Sequence, residues 1–306
     1  MISEESAERS AEAARRKQYV RFRWKGYGVG YLFMLPWIVG FGAFVAFPVG
    51  WSLYNSFNKV MLTSTGFQYT WVGFDNYYRM LFENNVYPIL LITYFQEMLL
   101  IIPLILIFSF LVALLLNQRF PGRGAMRTIF FLPVIFATGQ VLMELFHQGA
   151  GELPFMDQYD VSAVVDQYFD NSVGDAIQNI LGKAVIILWY SGVQIPIFLA
   201  GFQTISKSLY EAIRVDGASP WESFWKITFP AMIPFVGLNA IYTIVDLFTY
   251  PFNPVLDTVK NNMFNATTGY GYASAMAWLY FVLILGLIGV AMALTVRAAK
   301  GGTMPR

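Results

Sequence analysis

Cysteine is absent from this chain of 306 residues, and histidine occurs once, at His147. The first absence excludes disulfides and thiol chemistry, and a lone histidine without cysteine provides no metal site. The chain also lacks a G-x-x-x-x-G-K-[ST] phosphate loop, a nucleophile elbow and a nucleotide-binding glycine fingerprint. We therefore expect no enzymatic activity, no metal and no cofactor bound by this chain itself.

Charged residues are scarce as well, at 13% of the chain, against about 25% in a typical soluble domain. Hydrophobic residues make up 57%, and they lie in runs that reach the approximately 20 residues needed to cross a bilayer. The sequence therefore predicts an all-α polytopic membrane protein with six transmembrane helices. The predicted spans are 27–54, 88–116, 128–146, 181–202, 229–250 and 271–296.

The segments between these spans are too short to form separate domains. We predict a cytoplasmic N-terminal tail at 1–26, one transmembrane domain at 27–298 and a cytoplasmic C-terminal tail at 299–306. The first tail is charged and mostly polar, so no apolar signal-peptide core precedes the first span.

The distribution of positive charge predicts the orientation of the chain. Sixteen of the 20 Lys and Arg residues fall, by alternation of the spans, on the side that carries both termini. The opposite side holds only Lys59, Arg79, Lys183 and Lys260, together with many acidic residues. The positive-inside rule places both termini and the loop 203–228 in the cytoplasm.

Within that loop, the sequence predicts two helices separated by a sharp turn. Ser208 and Glu211 have the spacing of a capping box, which begins a helix. Gly217 can adopt the left-handed conformation that ends this helix after about two turns. Ser219 is then a second N-cap, with Pro220 at the first helical position and a glutamate three residues on.

This loop resembles the EAA coupling loop of binding-protein-dependent ABC importer permeases of the sugar type. Ile213 and Phe229 depart from the family pattern, but each replaces one apolar residue by another. The positions that match are Glu211, Ala212, Asp216, Gly217, Ala218, Ile227 and Pro230.

The resemblance implies that the short helix lies in a groove of a separate ATPase. It implies Glu211 as the charged contact of that helix and Gly217 as its turn. The complex would contain a second homologous permease, an ABC ATPase dimer that binds ATP and Mg, and an extracytoplasmic solute-binding protein, in the cell membrane of a prokaryote. We expect a sugar substrate and no nucleic-acid partner. The predicted ATPase-coupling residues are Glu211, Ala212, Arg214, Asp216, Gly217 and Ala218.

Three further segments resemble the same family. The stretch 71–82 is similar to the family's G-x-x-N-Y-x-x-L-F sequence, the stretch 123–133 to its R-G-x-x-x-R-T-x-x-F-L-P, and the stretch 271–275 to its G-Y-A-S-A. One family element, T-x-G-G-P, is replaced by Phe252-Asn-Pro-Val-Leu. The resemblance therefore leaves the particular sugar open.

Ionisable groups inside spans are costly and usually face a bundle interior or water. Glu97, Glu144 and Asp246 are such groups. Polar and aromatic residues spaced three or four apart, in the spans on either side of the coupling loop, provide the hydroxyl-binding groups and flat faces that a sugar needs. The residues predicted to line the substrate pathway are Trp189, Tyr190, Gln194, Asn239, Tyr242, Asp246 and Tyr250.

Other interpretations remain open from the sequence. These polar stripes are equally typical of interhelical contacts or of aromatic anchors at the membrane interface. A secondary transporter or channel without an ATPase predicts broken helices in two matching halves, and no such internal symmetry is found. A membrane anchor without transport would not need polar stripes beside a docking loop.

Overall fold

The structure is a computed structural model of the full chain. It describes residues 30–63, 66–118, 120–136, 183–250, 252–265 and 267–301, with residues 144, 165, 168, 178 and 181 as single positions. Most of the described chain is helical. The tail 1–26, His147 and, apart from Glu144, the second half of the third predicted span lie outside the described residues.

The described elements are numbered in chain order. Before the second predicted span they are α1 (Gly30–Ser56), β1 (Asn58–Thr63), β2 (Gly66–Trp71) and α2 (Asp75–Tyr78), which continues as a π-turn over Arg79–Glu83. The next helices are α3 (Val86–Asn117), α4 (Arg123–Phe136), α5 (Ala184–Tyr190), α6 (Gln194–Thr204) and α7 (Lys207–Val215). The last are α8 (Pro220–Phe248), α9 (Pro254–Met263) and α10 (Gly269–Gly301).

Four helices in the described chain are long and apolar enough to cross a membrane: α1, α3, α8 and α10. They confirm the first, second, fifth and sixth predicted spans as long apolar helices. The third predicted span begins inside α4, and its remainder lies outside the described residues.

The fourth predicted span is not one continuous helix, so this part of the prediction is wrong. It is divided into α5 and α6 by a turn at Ser191–Val193. Pro196 explains the break, because proline has no N–H to donate to the carbonyl four residues earlier and its ring clashes there. In the observed structure Pro196 is the third residue of α6, where an N–H has no intrahelical partner.

The all-α prediction is also wrong in one place. β1 and β2 form an antiparallel hairpin, with Asn58 paired to Trp71 and Thr63 paired to Gly66. The two strands are rich in the β-branched and aromatic residues that favour this structure. Helix α9 lies between the fifth and sixth predicted spans, in a segment for which no helix was predicted. Asn253 caps this helix by accepting hydrogen bonds from the N–H groups of Val255 and Leu256.

The bundle is organised around α3. At the hairpin end of the bundle, α3 packs with α8, α9 and α10, and Tyr87, Phe248 and Met276 are among the fully buried residues. At the opposite end, the lower part of α3 packs with α6 and α8 around Phe198 and Met232. The loop between α6 and α8 lies at this second end, which we call the loop end.

Two of the family-like segments meet at the hairpin. The buried Asn76 amide donates hydrogen bonds to the carbonyls of Ser56 at 2.9 Å and Asn58 at 3.0 Å. Gly271, in the G-Y-A-S-A segment, lies so close to the Asn58 carbonyl that a side chain would overlap it. Tyr272 is buried and accepts a hydrogen bond from Asn84 at 3.0 Å. These segments therefore join α10 to the hairpin.

Replacing Gly271 by alanine should destabilise the protein by about 2 kcal/mol, because the added methyl group meets backbone that cannot move aside. Thermal unfolding in detergent measures the effect. Gly289→Ala in the same helix is the control, since its Cβ meets no atom within 4 Å and alanine is favoured in a helix. Equal unfolding temperatures for the two variants would contradict the prediction.

Candidate functional site

The short helix of the coupling loop is present as α7, but it begins two residues earlier than its predicted cap requires. Ser206 occupies the N-cap position with extended backbone, and no side chain caps this end. Ser208 therefore lies in the first turn, and its hydroxyl is 3.0 Å from that of Ser206. The predicted Ser208–Glu211 capping box is wrong, because a residue inside the helix cannot present its oxygen to that helix's own N–H groups as a cap does.

The end of α7 forms as predicted. Gly217 has a φ of 78°, in the left-handed region. The Gly217 N–H donates to the Arg214 carbonyl at 3.0 Å, and the Ala218 N–H donates to the Ile213 carbonyl at 3.1 Å. These two bonds define a Schellman motif, with Asp216 as its C-cap. Asp216, Gly217 and Ala218 therefore set the shape of the turn.

The start of α8 also forms as predicted. The Ser219 hydroxyl accepts from the N–H of Glu222 at 3.3 Å, and the Glu222 carboxylate accepts from the Ser219 N–H at 2.8 Å. Pro220 occupies the first helical position. This is a complete capping box, so both ends of the turn are fixed by local hydrogen bonds.

Helix α7 stands apart from the bundle. None of its residues is buried, and it packs closely against none of the described helices. Glu211 and Arg214 are exposed, and neither forms an ion pair with a described residue. A cavity of about 780 Å³ separates α7 from the loop end of the bundle, lined by residues that include Asn117, Phe202 and Arg214.

One side-chain hydrogen bond connects α7 to the rest of the described chain. The Tyr210 hydroxyl lies 2.7 Å from the hydroxyl of Thr228, which is buried in α8. Thr228 is the last residue of a π-turn, Phe224–Thr228, that interrupts the first part of α8. Sequence reasoning did not identify this pair, because the two residues lie 18 positions apart and neither belongs to a motif.

The residues predicted to line a pathway fall into two groups. Tyr190 and Tyr250 are in edge-to-face contact, with ring centroids 5.6 Å apart. Asp246 lies near Tyr190 and Tyr242, and its carboxylate forms no hydrogen bond or ion pair with any described residue. These four residues are partly or largely exposed, as is Trp189 on α5. They form an open polar and aromatic group near the hairpin end of α8.

Gln194 and Asn239 belong instead to the interior. Both are fully buried. The Gln194 amide donates to the Thr243 hydroxyl at 3.0 Å, and the Asn239 amide donates to the Gln194 backbone carbonyl at 3.3 Å. Within the described chain, the side-chain oxygens of Gln194 and Asn239 have no partner. This arrangement is typical of polar contacts between membrane helices.

The expected stripe from Tyr190 to Gln194 is therefore not present on one helix. The turn at Ser191–Val193 lies between them, and only Gln194 points into the helix interface. The spacing rule assumed a continuous helix, and Pro196 ends that continuity.

Sequence reasoning also missed the residues that hold the end of α8. The Tyr94 hydroxyl donates to the Leu247 carbonyl at 2.8 Å, and the Tyr280 hydroxyl donates to the Phe248 carbonyl at 2.9 Å. The Asn253 amide donates to the same Phe248 carbonyl at 2.9 Å. Asparagine followed by proline at 253–254 is a helix-start signal that could have identified Asn253.

The acids predicted inside spans have different surroundings. Glu97 on α3 forms an ion pair with Lys183, the residue before α5. The orientation argument counted Lys183 on the outer side of the membrane, although this residue also lies inside the predicted fourth span, 181–202. Glu144 is a single described position, helical and exposed.

Residues 32–300 match a family described as the binding-protein-dependent transport system inner membrane component. The chain belongs to this family. It is an integral membrane permease subunit of an ABC transporter, a transport component and not an enzyme, which confirms the prediction from the missing motifs.

Relatives are similar over most of their length. A probable ABC transporter permease of Bacillus subtilis, YesP, is 30% identical, with 91% of this chain and 92% of YesP covered. The trehalose/maltose transport system permease MalF of Thermococcus litoralis is 28% identical, covering 84% and 90%. The multiple sugar-binding transport system permease MsmF of Streptococcus mutans is 25% identical, covering 85% and 92%.

A solved structure has a similar fold. It is the crystal structure of a bacterial alginate ABC transporter in complex with an alginate pentasaccharide-bound periplasmic protein. The TM-score is 0.53 at 22% identity, and the alignment covers 90% of this chain and 96% of the other.

Replacing Lys183 by methionine should lower stability by about 1 kcal/mol, because the Glu97 carboxylate then has no counter-ion in apolar surroundings. Adding Glu97→Gln should restore part of the loss, since the uncompensated charge is removed. Thermal unfolding in detergent measures both variants. The control is Lys59→Met, at an exposed lysine without a described ion pair. A Lys183→Met protein as stable as this control would refute the prediction.

Proposed function

We propose that the chain is one permease subunit of an ATP-driven importer for a neutral sugar or oligosaccharide. It contributes half of the translocation pathway and couples to a separate ATPase through the loop 208–230. The observation that carries this proposal is helix α7, whose C-terminal turn is fixed by local hydrogen bonds although none of its residues is buried against the described chain.

A helix of nine residues is marginal in water without tertiary contacts. Helix α7 nevertheless has a Schellman turn at its end and a capping box immediately after it. Its exposed residues include apolar ones, such as Leu209 and Val215, beside Glu211. Such a helix is suited to a groove in another protein, and the family supplies an ATPase as that partner.

The surroundings of α7 agree with a cytoplasmic ATPase. The loop end carries Arg123, Arg127 and Lys226, while the predicted outer side carries an acidic segment at 152–170. The positive-inside rule therefore supports a cytoplasmic loop end and an extracytoplasmic hairpin end, where a solute-binding protein would dock. Both termini would then lie in the cytoplasm.

The open group around Asp246 supports a shared pathway. Asp246, Tyr242 and Tyr250 lie on α8 and remain accessible in the described chain. A charged carboxylate exposed inside a membrane is expensive unless it faces water or another protein. A second permease subunit, packed against this face, would enclose a polar passage between the two chains.

Sugar as the substrate class is supported by the chemistry of this group and by the relatives. Tyrosine faces and hydroxyls suit the C–H surfaces and hydroxyl groups of a saccharide. No Lys or Arg among the described residues contacts the Asp246 group, so an anionic substrate is less favoured. The names of MalF and MsmF describe sugar transport systems. A thermal-shift screen of the partner binding protein tests this class, and stabilisation only by amino acids or inorganic ions would contradict it.

We do not retain the alternative function, a secondary transporter or channel without an ATPase partner. The break between α5 and α6 is a feature of some secondary transporters, but they carry matching breaks in two related halves. The other spans described in full, α1, α3, α8 and α10, run without such a break.

Replacing Gly217 by valine should reduce the ATPase retained on the tagged permease about tenfold. The side chain strains the left-handed turn and projects toward the docked partner, while no atom of the described residues lies within 4 Å of the added Cβ. Co-purification from membranes measures the ATPase, and immunoblotting measures insertion.

Gly122→Val is the matched control for this experiment. Gly122 has a similar φ of 84° and equally open surroundings, but it lies between α3 and α4. If both valine variants lose the ATPase equally, backbone strain alone accounts for the loss and α7 is not the docking helix.

Replacing Asp246 by asparagine should lower uptake of the saccharide that stabilises the binding protein by about tenfold, with little change in unfolding temperature. The amide keeps the shape of the carboxylate but removes a charged hydrogen-bond acceptor, and charged acceptors bind about twice as strongly as neutral ones. Asp257→Asn on α9, an exposed aspartate paired with Lys260, is the control. Wild-type uptake by the Asp246 variant would exclude Asp246 from the pathway.

A further inference from the structure

We propose that Tyr210 and Thr228 are positioning residues that make α7 and α8 move as one unit. Their hydroxyl pair would transmit the displacement of the docked α7 into the transmembrane part of α8. This inference rests on the proposed function, because it requires an ATPase that grips α7.

The mechanical argument starts from the number of attachment points. Helix α7 is joined to α6 through Ile205 and Ser206 and to α8 through the turn at Asp216–Ser219, so relative to α8 the chain holds it at one point and it can pivot. Close packing against other described helices is absent, and a cavity lies beneath α7. The bond between Tyr210 and Thr228, at 2.7 Å, supplies a second point. Two points fix the direction of α7 relative to α8.

The second attachment lies at a particular place in α8. Thr228 ends the π-turn Phe224–Thr228, and π-turns are often found at functional sites. From Thr228 the chain remains helical to Phe248, with Pro234 inside this segment. Asp246 is 18 residues further on, about 27 Å along the axis at 1.5 Å per residue. A rotation imposed at Thr228 therefore reaches the open polar group at the other end.

The hydroxyl pair is suited to this task by its surroundings. Thr228 is 4% exposed with Tyr210 in place, so the hydroxyl pair is largely shielded from water in the joined arrangement. Tyr210 is only partly buried and lines the cavity together with Arg214. Loss of one such hydrogen bond changes the balance between the joined and separated arrangements about fivefold.

The test measures whether α7 and α8 keep their relative position when nucleotide binds. Because the chain has no cysteine, Lys207→Cys on α7 and Leu238→Cys on α8 give this chain two unique sites for spin labels, both at exposed positions. Double electron–electron resonance is recorded on the complete complex in nanodiscs, without nucleotide and with MgATP and vanadate. Hydrolysis of ATP is measured on the same preparations.

In the otherwise unmodified complex the distance distribution should stay narrow and unchanged on adding MgATP and vanadate. Tyr210→Phe removes the tyrosine hydroxyl. In the state trapped by MgATP and vanadate, it should lower the ratio of molecules at the original distance to molecules at other distances about fivefold. Hydrolysis should stay within about twofold, since α7 can still dock. Thr228→Val should behave in the same way, whereas Thr228→Ser should retain the original distribution.

Two further variants make the result specific. The double variant Tyr210→Phe/Thr228→Val should match either single variant, because both remove the same bond. Tyr31→Phe, at an exposed tyrosine of α1, should leave the distribution unchanged. If Tyr210→Phe and Thr228→Val keep the original distribution while the complex hydrolyses ATP, this inference is refuted and the proposed function stands. If no ATPase associates with the unmodified permease, both are refuted.

Discussion

The arrangement of the bundle depends on how the end of α8 is held. The last carbonyls of a helix have no partner within that helix, and a membrane offers no water to replace it. Here the carbonyls of Leu247 and Phe248 accept hydrogen bonds from Tyr94, Tyr280 and Asn253, which belong to α3, α10 and the start of α9. A single helix end thus fixes three neighbours, and it places Asp246 and Tyr250 at the open side of the bundle.

The residues that resemble the family have mainly structural roles in this chain. Asn76 and Gly271 join the hairpin to α10, and Arg127 donates to the Leu116 carbonyl at the end of α3, at 3.1 Å. Gly217 closes the Schellman turn. Glu211 differs from them, because it is exposed and makes no described contact with its own chain. Because Glu211 has no described partner in its own chain, its carboxylate is available to another protein.

The features predicted correctly are those that depend on residues close together in the sequence. Long apolar runs correctly predicted four long apolar helices, and Ser219, Pro220 and Gly217 correctly predicted both ends of the turn. Contacts between distant segments were not predicted, because the pattern of a single sequence does not show which elements meet. The bond from Tyr210 to Thr228 and the ion pair from Glu97 to Lys183 are of this kind. Other errors were local and avoidable. Pro196 was overlooked as a helix breaker, and the alternation of Phe67, Tyr69 and Trp71 with polar residues in β2 was not recognised.

The hydrogen-bonding groups at the two ends of α8 and near its middle have partners to different degrees. This difference bears on where the bundle can deform. The carbonyls of Leu247 and Phe248 and the hydroxyl of Thr228 all have partners, so displacing either end breaks existing hydrogen bonds. In the middle, the oxygens of Gln194 and Asn239 lack described partners, a deficit of about 1–3 kcal/mol for each buried group. A shift of α6 against α8 therefore sacrifices fewer hydrogen bonds in the middle of α8 than at its ends. It can also give the oxygens of Gln194 and Asn239 new partners. Rigid ends and an under-satisfied middle suit a helix that moves as a lever against its neighbour.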